Sequence, residues 1–233
     1  MEGRGHRLSS RISGAAARPL DRVKFVVTAG PTREPIDPIR FLSNRSSGKM
    51  GYAIASAAIE EGHEVILISG PVALSPPVAA RVIQVTTSDE MYEAVHGALA
   101  KTDVLVMCAA VADYKPAATA KEKIKKRDEA LSLELVPTRD ILKSLPKTRD
   151  YFVVGFAAET DDVEKHAREK LRHKNCNMIV ANDVSDSASG MESDENAVTI
   201  FLGDGEMKKI SRAPKEKIAR ALVKIILETS KRF

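Results

Sequence analysis

The chain has 233 residues, enough for one α/β domain, alone or with an appendage. Its apolar content of 43% suffices for a hydrophobic core, and no stretch approaches the roughly 20 apolar residues of a transmembrane helix. The net charge is +4, but residues 1–22 carry five arginines against two acids, so the rest is nearly neutral. With no tryptophan and few other aromatic residues, this composition argues against a nucleic-acid-binding surface.

Residues 1–22 are rich in Arg, Ser, Gly and Ala and show no apolar period. This composition fits a disordered tail, an expression remnant or the stub of a linker to another domain, and transit peptides share it. We therefore expect the folded domain to span residues 23–233. The two cysteines, Cys108 and Cys176, form no paired motif. That pattern favours a reducing cytoplasm and argues against a Cys-based zinc site.

The first strand and helix are predicted to be joined by an unusually long loop. Apolar residues 23–27 predict a buried strand, and the amphipathic pattern at 50–61 predicts a helix. Open α/β sheets bind their ligands at such connections, which typically take about 2–6 residues. This one takes more than twenty and concentrates polar and basic side chains, among them Arg33, Arg40, Asn44, Arg45 and Lys49.

Small residues occupy the end of that loop, where the helix is expected to begin. Ser46, Ser47 and Gly48 would expose unpaired backbone N–H groups at the positive end of the helix dipole. We therefore choose these three residues as candidates for phosphate contact. The alternative is that Ser47 is a plain helix N-cap.

The remaining elements follow in an order typical of an α/β fold. The pattern predicts strands at 64–69, 81–86, 103–108, 131–136, 151–156 and 177–182, and helices at 88–100 (capped by Ser88), 138–145, 160–175 (capped by Thr160) and 214–230. Residues 196–202 and 207–211 flank Gly203-Asp204-Gly205, which indicates a hairpin. We predict a Rossmann-like open, mostly parallel sheet with helices on both faces and a small β-hairpin appendage.

A second candidate segment follows the most apolar of these strands. Residues 109–114 (AAVADY) place Asp113 at the carboxyl edge of the sheet, facing the same crevice as the first loop. The alternative is an ordinary turn aspartate. Residues 115–128 hold five lysines and one arginine with little apolar period, which predicts a mobile, exposed flap. Lysine suits the neutralisation of an oxyanion because its charge sits on a flexible stem.

Two other functions are weighed on the same residues. A nicotinamide-dependent oxidoreductase of Rossmann type is disfavoured because the first loop lacks G-x-G-x-x-G and Ser69-Gly70-Pro71 stands where a ribose-binding acid is expected. A non-catalytic nucleotide-binding module is disfavoured by the combination of Asn44, Asp113 and Lys123. Nucleotide binding alone needs neither a polarising amide nor a mobile lysine.

Five segments carry a resemblance to a known enzyme family. They read TAGPTREPIDPIRFLSNRSSGKMGYAIA from Thr28, CAAVADY from Cys108, EKIKK from Glu122, VVGFAAET from Val153 and IVANDV from Ile179. In this order they resemble the phosphopantothenate–cysteine ligases, also called phosphopantothenoylcysteine synthetases, over about residues 23–230. In many bacteria such a ligase is the C-terminal half of a bifunctional coenzyme A biosynthesis protein.

The resemblance implies a two-step reaction. The carboxylate of 4′-phosphopantothenate would be activated by a nucleoside triphosphate with Mg²⁺, giving an acyl nucleotide and pyrophosphate. The amine of L-cysteine would then displace the nucleoside monophosphate. Bacterial members similar to this chain use CTP and animal members use ATP, so we expect CTP. The resemblance also implies a cytoplasmic homodimer to which the hairpin region contributes.

The resemblance assigns roles to individual residues. Asn44 would hold and polarise the acyl-nucleotide intermediate with support from Arg40, and Lys123 would stabilise the charge that develops during activation. Asp113 would bind the nucleotide directly or through Mg²⁺, and Ala109 would lie against the base. The rest of the nucleotide pocket would be lined by Asp140, Ile141, Phe156, Lys170 and Lys174. The chain departs from many relatives at Pro31 and at Thr138-Arg139, where Asn-Pro is common before the aspartate.

Overall fold

The computed structural model describes residues 22–126, 128–159, 162–183 and 193–231. The predicted tail as far as residue 21, Arg127 of the predicted flap and the predicted cap Thr160 lie outside the described residues. The strands are β1 (Lys24–Ala29), β2 (Arg33–Pro35), β3 (Phe41–Ser43), β4 (Glu64–Ser69), β5 (Arg81–Gln84), β6 (Val104–Met107), β7 (Tyr114–Pro116), β8 (Leu135–Pro137), β9 (Phe152–Glu159), β10 (Met178–Asp183), β11 (Glu195–Leu202) and β12 (Met207–Pro214). The helices are α1 (Lys49–Glu60), α2 (Ser88–Ala98), α3 (Ile141–Ser144), α4 (Val163–His173) and α5 (Lys215–Ser230).

Eight strands form the main sheet, in the order β12-β11-β10-β9-β6-β1-β4-β5. The six strands from β10 to β5 run parallel, and β11 and β12 join antiparallel at one edge. After β1 the chain continues outward to β4 and β5 and then returns to β6 on the other side of β1. The carboxyl ends of β1 and β6 therefore flank the switch point at which such sheets bind ligands. The prediction of an open, mostly parallel sheet is confirmed.

Helices cover both faces of this sheet, as predicted. The period of two along β1 divides its apolar residues, with Phe25 and Val27 in one core and Val26 in the other. The first core packs against α1 and α5, and the second against α2, α3 and α4. Burial on both faces explains why the central strands read as unbroken apolar runs.

The hairpins differ from the prediction. The predicted hairpin at 196–211 exists, but its strands β11 and β12 form the edge of the main sheet. The structure appends two other antiparallel pairs, β2 with β3 and β7 with β8. Each of these strands has only three residues, too few to show an apolar period in the sequence. The predicted strand at 131–136 is reduced to β8.

Helix starts also differ from the prediction. The N-cap of α4 is Asp162 rather than Thr160. Thr87, not Ser88, is the N-cap of α2, and its hydroxyl accepts the Glu90 N–H at 3.2 Å while the Glu90 carboxylate accepts the Thr87 N–H. Ser88 is already inside the helix and binds the buried Glu34 carboxylate of β2 through both its N–H (2.8 Å) and its hydroxyl (3.1 Å). Helix α3 begins after Asp140 rather than at residue 138.

The turn after β4 crosses the turn after β1 at a backbone contact that only glycine permits. A Cβ at Gly70 would lie 1.9 Å from the carbonyl oxygen of Pro31. We expect Gly70→Ala to lower the free energy of unfolding by about 3 kcal/mol, since the obstacle is backbone and cannot rotate away. The control is Gly97→Ala, where nothing lies within 4 Å and helix propensity predicts a gain of up to about 1 kcal/mol. Urea unfolding measures both, and equal stabilities would contradict the crowding argument.

Candidate active site

The loops that follow β1 and β6 are joined by backbone hydrogen bonds beyond the ends of the strands. Ala110 donates its N–H to the carbonyl of Gly30 at 2.9 Å, and Thr32 donates its N–H to the carbonyl of Ala110 at 3.2 Å. The Thr32 hydroxyl also accepts the N–H of Ala112 at 3.0 Å. The two candidate loops are therefore one connected rim above the switch point.

A threonine in the otherwise apolar strand β1 organises this rim. The hydroxyl of Thr28, which is fully buried, accepts the N–H groups of Cys108 and Ala109, each at 3.1 Å. The Ala109 N–H is engaged in this way, so the backbone group of Ala109 that could contact a base is its carbonyl oxygen, which can accept a hydrogen bond from an amino group. We did not select Thr28 from the sequence, although a polar residue within an apolar run was a usable signal.

Helix α1 begins at a glycine in the left-handed conformation. Gly48 is the N-cap, with φ 78°, and no side chain caps the helix. The alternative reading of Ser47 as a plain N-cap is therefore wrong. Gly48 donates its N–H to the Ser46 hydroxyl at 3.4 Å. The start of α1 thus lies at the rim with small residues around it, a geometry that suits an anion.

A cavity of about 310 Å³ opens between this helix start and the loop after β6. Asn44 stands at its mouth, where its side-chain N–H donates to the carbonyl of Ala110 at 3.0 Å. The sequence-predicted residues that line the cavity are Asn44, Ser46, Ser47, Gly48, Ala109, Asp113, Phe156 and Lys170. Residues from four separate parts of the chain are therefore brought to one place.

A second cavity, of about 250 Å³, adjoins the first and shares part of its wall. Ala109, Asp113, Phe156 and Lys170 line both cavities. The second cavity adds the other three predicted nucleotide contacts, which are Asp140, Ile141 and Lys174.

Asp140 is held from two directions in this second cavity. Its carboxylate caps α3 by accepting the Lys143 N–H at 3.0 Å, and it forms an ion pair with Lys174. Burial is the largest single influence and raises the pKa of Asp140, but the hydrogen bonds from Lys174 and from the Lys143 N–H, together with the charges of these two lysines, outweigh it and lower that pKa. The side chain is therefore ionised, and it links the loop after β8 to helix α4.

Arg40 and Lys123 are the two predicted site residues that line neither cavity. Arg40 instead contacts Asp37 through Nε at 3.0 Å and Nη2 at 2.5 Å, and its Nη2 also donates to the carbonyl of Ile124 at 2.8 Å. Asp37 accepts the N–H of Ile124 at 3.1 Å. Lys123, next to Ile124, therefore rests exposed above the β2–β3 hairpin. It would have to move, or act on another copy of the chain, to reach a ligand beside Asn44.

The Asp37 carboxylate is the anchor that fixes the flap to the hairpin. It is only 3% exposed, and the hydrogen bond from Arg40 holds the pKa of Asp37 far below its usual range. A carboxyl group whose pKa is lower in the folded than in the unfolded protein stabilises the fold at pH values above the unfolded-state pKa. This stabilisation is lost as the pH falls through the lowered, folded-state pKa. The anchor is therefore intact throughout the neutral range.

We expect Asp37→Asn to detach the flap and lower kcat/KM of the reaction proposed below between roughly ten- and a hundredfold, because a detached flap brings Lys123 to the ligand, in its own chain or in another copy, in fewer of its conformations. Steady-state kinetics measures the loss. Glu122→Gln is the matched control, since it makes the same charge change at an exposed position of the same flap. Equal activities of the two variants would show that the anchor does not matter.

Four further polar residues line the first cavity, and the sequence indicated no specific role for them, although Lys49 is one of the basic residues of the first loop. They are Lys49, Asn182, Asn196 and Lys215. Lys49 forms an ion pair with Asp194 at 2.6 Å. Lys215 is only 3% exposed, hydrogen-bonds the carbonyl of Ser193, and has a lowered pKa because of burial and then the nearby Lys49. Nothing in the sequence linked the first residue of the last helix to this cavity.

The cavity also contains a cysteine with an unreactive thiol. Cys108 lines the wall below Ala109, and burial raises the pKa of Cys108 to about 12. A thiol with this pKa is protonated at neutral pH and is a poor nucleophile. The structure thus offers no reason to assign the chemistry to this cysteine.

The residues around Asp113 suit a magnesium ion that is held mainly by a substrate. Within the described ranges, no three His, Cys, Asp or Glu side chains cluster as ligands of a protein-bound metal. Mg²⁺ commonly binds through one or two carboxylates, water and substrate phosphates, so one aspartate facing the cavity is a sufficient donor set.

Among the described residues, no helix combines the length and the apolar character needed to cross a bilayer.

Comparison with known proteins identifies the family. The model of the family described as DNA/pantothenate metabolism flavoprotein, C-terminal domain, matches residues 20–229. The coenzyme A biosynthesis bifunctional protein CoaBC of Vibrio parahaemolyticus is 49% identical over 192 residues, which are 81% of this chain and 48% of that protein. CoaBC of Bacillus subtilis is 46% identical over 215 residues, 91% of this chain and 53% of that protein. The chain thus spans about half the length of these relatives.

Solved structures agree. The crystal structure of the C-terminal domain of CoaBC superposes with a TM-score of 0.78 at 43% identity, covering 91% of this chain and 97% of that one. The DNA/pantothenate metabolism flavoprotein from Streptococcus pneumoniae gives a TM-score of 0.75 at 25% identity, covering 88% of this chain and 99% of that one. The chain therefore belongs to the family of the DNA/pantothenate metabolism flavoprotein C-terminal domain, and CoaBC proteins are among its relatives.

Proposed function

We propose that the chain is a phosphopantothenate–cysteine ligase that consumes CTP and joins L-cysteine to 4′-phosphopantothenate in coenzyme A biosynthesis. The observation that carries the proposal is the placement of Asn44 and Asp113 in one cavity at the switch point of the sheet. The relatives' name supports the pathway, and their C-terminal domain is the part that this chain matches. Both cysteines are free thiols, in keeping with a cytoplasmic enzyme.

The first step needs a nucleotide and a carboxylate side by side. The second cavity, with Lys170 and Lys174, takes the nucleotide, and the first cavity takes the acid. An oxygen of the carboxylate attacks the α-phosphorus of CTP, and pyrophosphate leaves. Lysine charges near the phosphates reduce the repulsion between the two anions and stabilise the charge of the transition state.

The second step needs an activated acyl group held for the amine. Asn44 is anchored through one side-chain hydrogen to Ala110. The amide has a second hydrogen, which can donate to the acyl oxygen as negative charge develops on it. The cysteine amine attacks the acyl carbon, and CMP leaves with the oxygen that came from the carboxylate.

Asp113 would hold a magnesium ion together with phosphates of the nucleotide, and the ion would supply charge neutralisation during pyrophosphate release. Ala109 would contact the base through its carbonyl oxygen. Arg40 supports the site indirectly, because it fixes the flap that carries Lys123.

We further propose that the protein acts as a homodimer. Large apolar side chains are exposed on the β2–β3 hairpin, the β7–β8 hairpin and the segment leading into β8. They are Ile39, Phe41, Tyr114, Leu131, Leu133 and Leu135. Such a concentration of exposed apolar residues marks a surface that is covered in use, and a second copy of the chain would cover it. The hairpin β11–β12, predicted to contribute, carries only Met207 of the large exposed apolar residues within the described ranges.

The proposal is tested by product analysis with each substrate omitted in turn. We expect CMP and pyrophosphate to appear only when CTP and 4′-phosphopantothenate are both present, and CMP release to require cysteine for turnover. Production of AMP from ATP at the same rate as CMP from CTP would overturn the assignment of CTP. A spectral change with a nicotinamide cofactor would instead favour an oxidoreductase.

A further inference from the structure

An arginine next to the nucleotide cavity is fastened to a neighbouring helix. Arg139, which lines the second cavity, reaches α2 with its guanidinium group. Its Nη1 lies 2.8 Å from a carboxylate oxygen of Glu93, and its Nε lies 3.2 Å from one of Asp89. The guanidinium carbon lies 3.8 Å from the ring centre of Tyr92, a stacked cation–π contact. Three side chains of one helix therefore hold this arginine.

Asp89 also binds strand β7, which pairs with the strand β8 that precedes Arg139. Its second carboxylate oxygen pairs with Lys115 of β7. The hydrogen bond from Lys115, followed by the charges of Lys115 and Arg139, lowers the pKa of Asp89. The first turns of α2 are thus connected to β7 and to the segment just after β8. Helix α2 is anchored in the hydrophobic core, because its residues Met91 and Val95 are fully buried.

The segment held by Arg139 connects the two aspartates of the nucleotide cavity. Thr138, before it, donates its N–H to the carbonyl of Asp113 at 2.9 Å and its hydroxyl to the carbonyl of Ala112 at 2.6 Å. Asp140, after it, caps α3 and pairs with Lys174. A shift of residue 139 would therefore move the backbone beside Asp113 and the carboxylate of Asp140 together.

We propose that Arg139 is a positioning residue for nucleotide binding: it clamps residues 138–140 to helix α2 and so fixes Asp113 and Asp140 relative to each other. The inference rests on the proposed function for the identity of the nucleotide. Arginine suits this role because its planar group can bind two carboxylates and stack on a ring at once, which lysine cannot do.

The test compares CTP binding by Arg139→Ala with CTP binding by the wild type, using isothermal titration calorimetry with CTP and Mg²⁺. We expect the Kd for CTP to rise about fivefold, the scale of a partly exposed charge pair with a cation–π contact. In steady-state assays KM for CTP should rise by the same factor, while kcat and the KM values for cysteine and phosphopantothenate stay within twofold. Arg139→Lys should recover at most half of the lost affinity, and full recovery would overturn the stacked clamp.

Arg220→Ala is the matched control, because it removes an arginine whose Nε contacts Glu60 at 2.9 Å between two other helices. Equal changes in melting temperature and in CTP affinity for the two variants would mean a general structural effect and would overturn the proposal. A Kd within twofold of the wild type in Arg139→Ala would overturn it as well. If the wild type binds CTP but forms no product, the ligase assignment fails. The clamp is still supported in that case if Arg139→Ala binds CTP more weakly and Arg220→Ala does not. Absence of CTP binding by the wild type would overturn both.

Discussion

Replacing Asn44 with aspartate is expected to slow the cysteine step by roughly 10²- to 10³-fold, the cost of removing a donor to a developing oxyanion. The side chain keeps its size but loses both N–H groups. A carboxylate at this position would face the carbonyl of Ala110, which now accepts from the Asn44 amide at 3.0 Å. Activation should slow less, because the attack on CTP depends on cations at the phosphates rather than on this amide.

The two half-reactions of this variant can be followed separately. Pyrophosphate release without cysteine reports activation, and CMP release after addition of cysteine reports the second step. We expect Asn44→Asp to release pyrophosphate in a burst and then to accumulate the acyl nucleotide. Ser43→Ala is a suitable control, because it removes a hydrogen bond of the same loop, from the Ser43 hydroxyl to the carbonyl of Thr32 at 2.8 Å. Equal slowing of both half-reactions by Asn44→Asp would contradict the role assigned to this residue.

Replacing Lys123 with glutamine is expected to slow pyrophosphate release by roughly 10²- to 10³-fold, because it removes a cation from the transition state of activation. The flap itself should stay attached. Its contacts with Asp37 and Arg40 use the backbone of Ile124, not the side chain of Lys123. The folded structure and the melting temperature should therefore be unchanged.

The flap provides its own controls for this experiment. Lys121→Gln and Lys125→Gln make the same change at exposed positions two residues to either side. Only Lys123→Gln should lose activation, while the two controls stay within a few-fold of the wild type. An equal loss in all three variants would mean that the overall charge of the flap matters, and that no single lysine acts on the nucleotide.

The sequence was most informative about which residues lie near one another where it placed them after strands of the parallel sheet. Asp113 and Asn44 are 69 positions apart in the chain, yet they lie in the connections that follow β6 and β1, and these parallel strands end at the same edge of the sheet. The wholly apolar run of β6 was sufficient to identify a strand in the interior of the parallel sheet. The small residues after β6, which were read as leaving room beside the backbone, line the first cavity.

Other features depend on contacts that no local pattern shows. The flap is held in place by Asp37, whose carboxylate accepts the backbone N–H of Ile124, a residue 87 positions later in the chain. Lys215 reaches the cavity only because α5 starts beside Asp194. Thr87 rather than Ser88 caps helix α2 because Ser88 is engaged in a tertiary contact with Glu34. Neighbouring Thr and Ser have similar capping preferences, so the sequence alone does not separate them.

The central claim is that the carboxylate of the acid substrate becomes an acyl–nucleotide ester in the cavity beside Asn44 and Asp113. The most direct measurement uses phosphopantothenate labelled with ¹⁸O in its carboxylate, followed by mass spectrometry of the nucleotide product after turnover with CTP and cysteine. We predict that each CMP carries one ¹⁸O atom from the carboxylate. Unlabelled CMP, or label found in inorganic phosphate instead, would contradict the account.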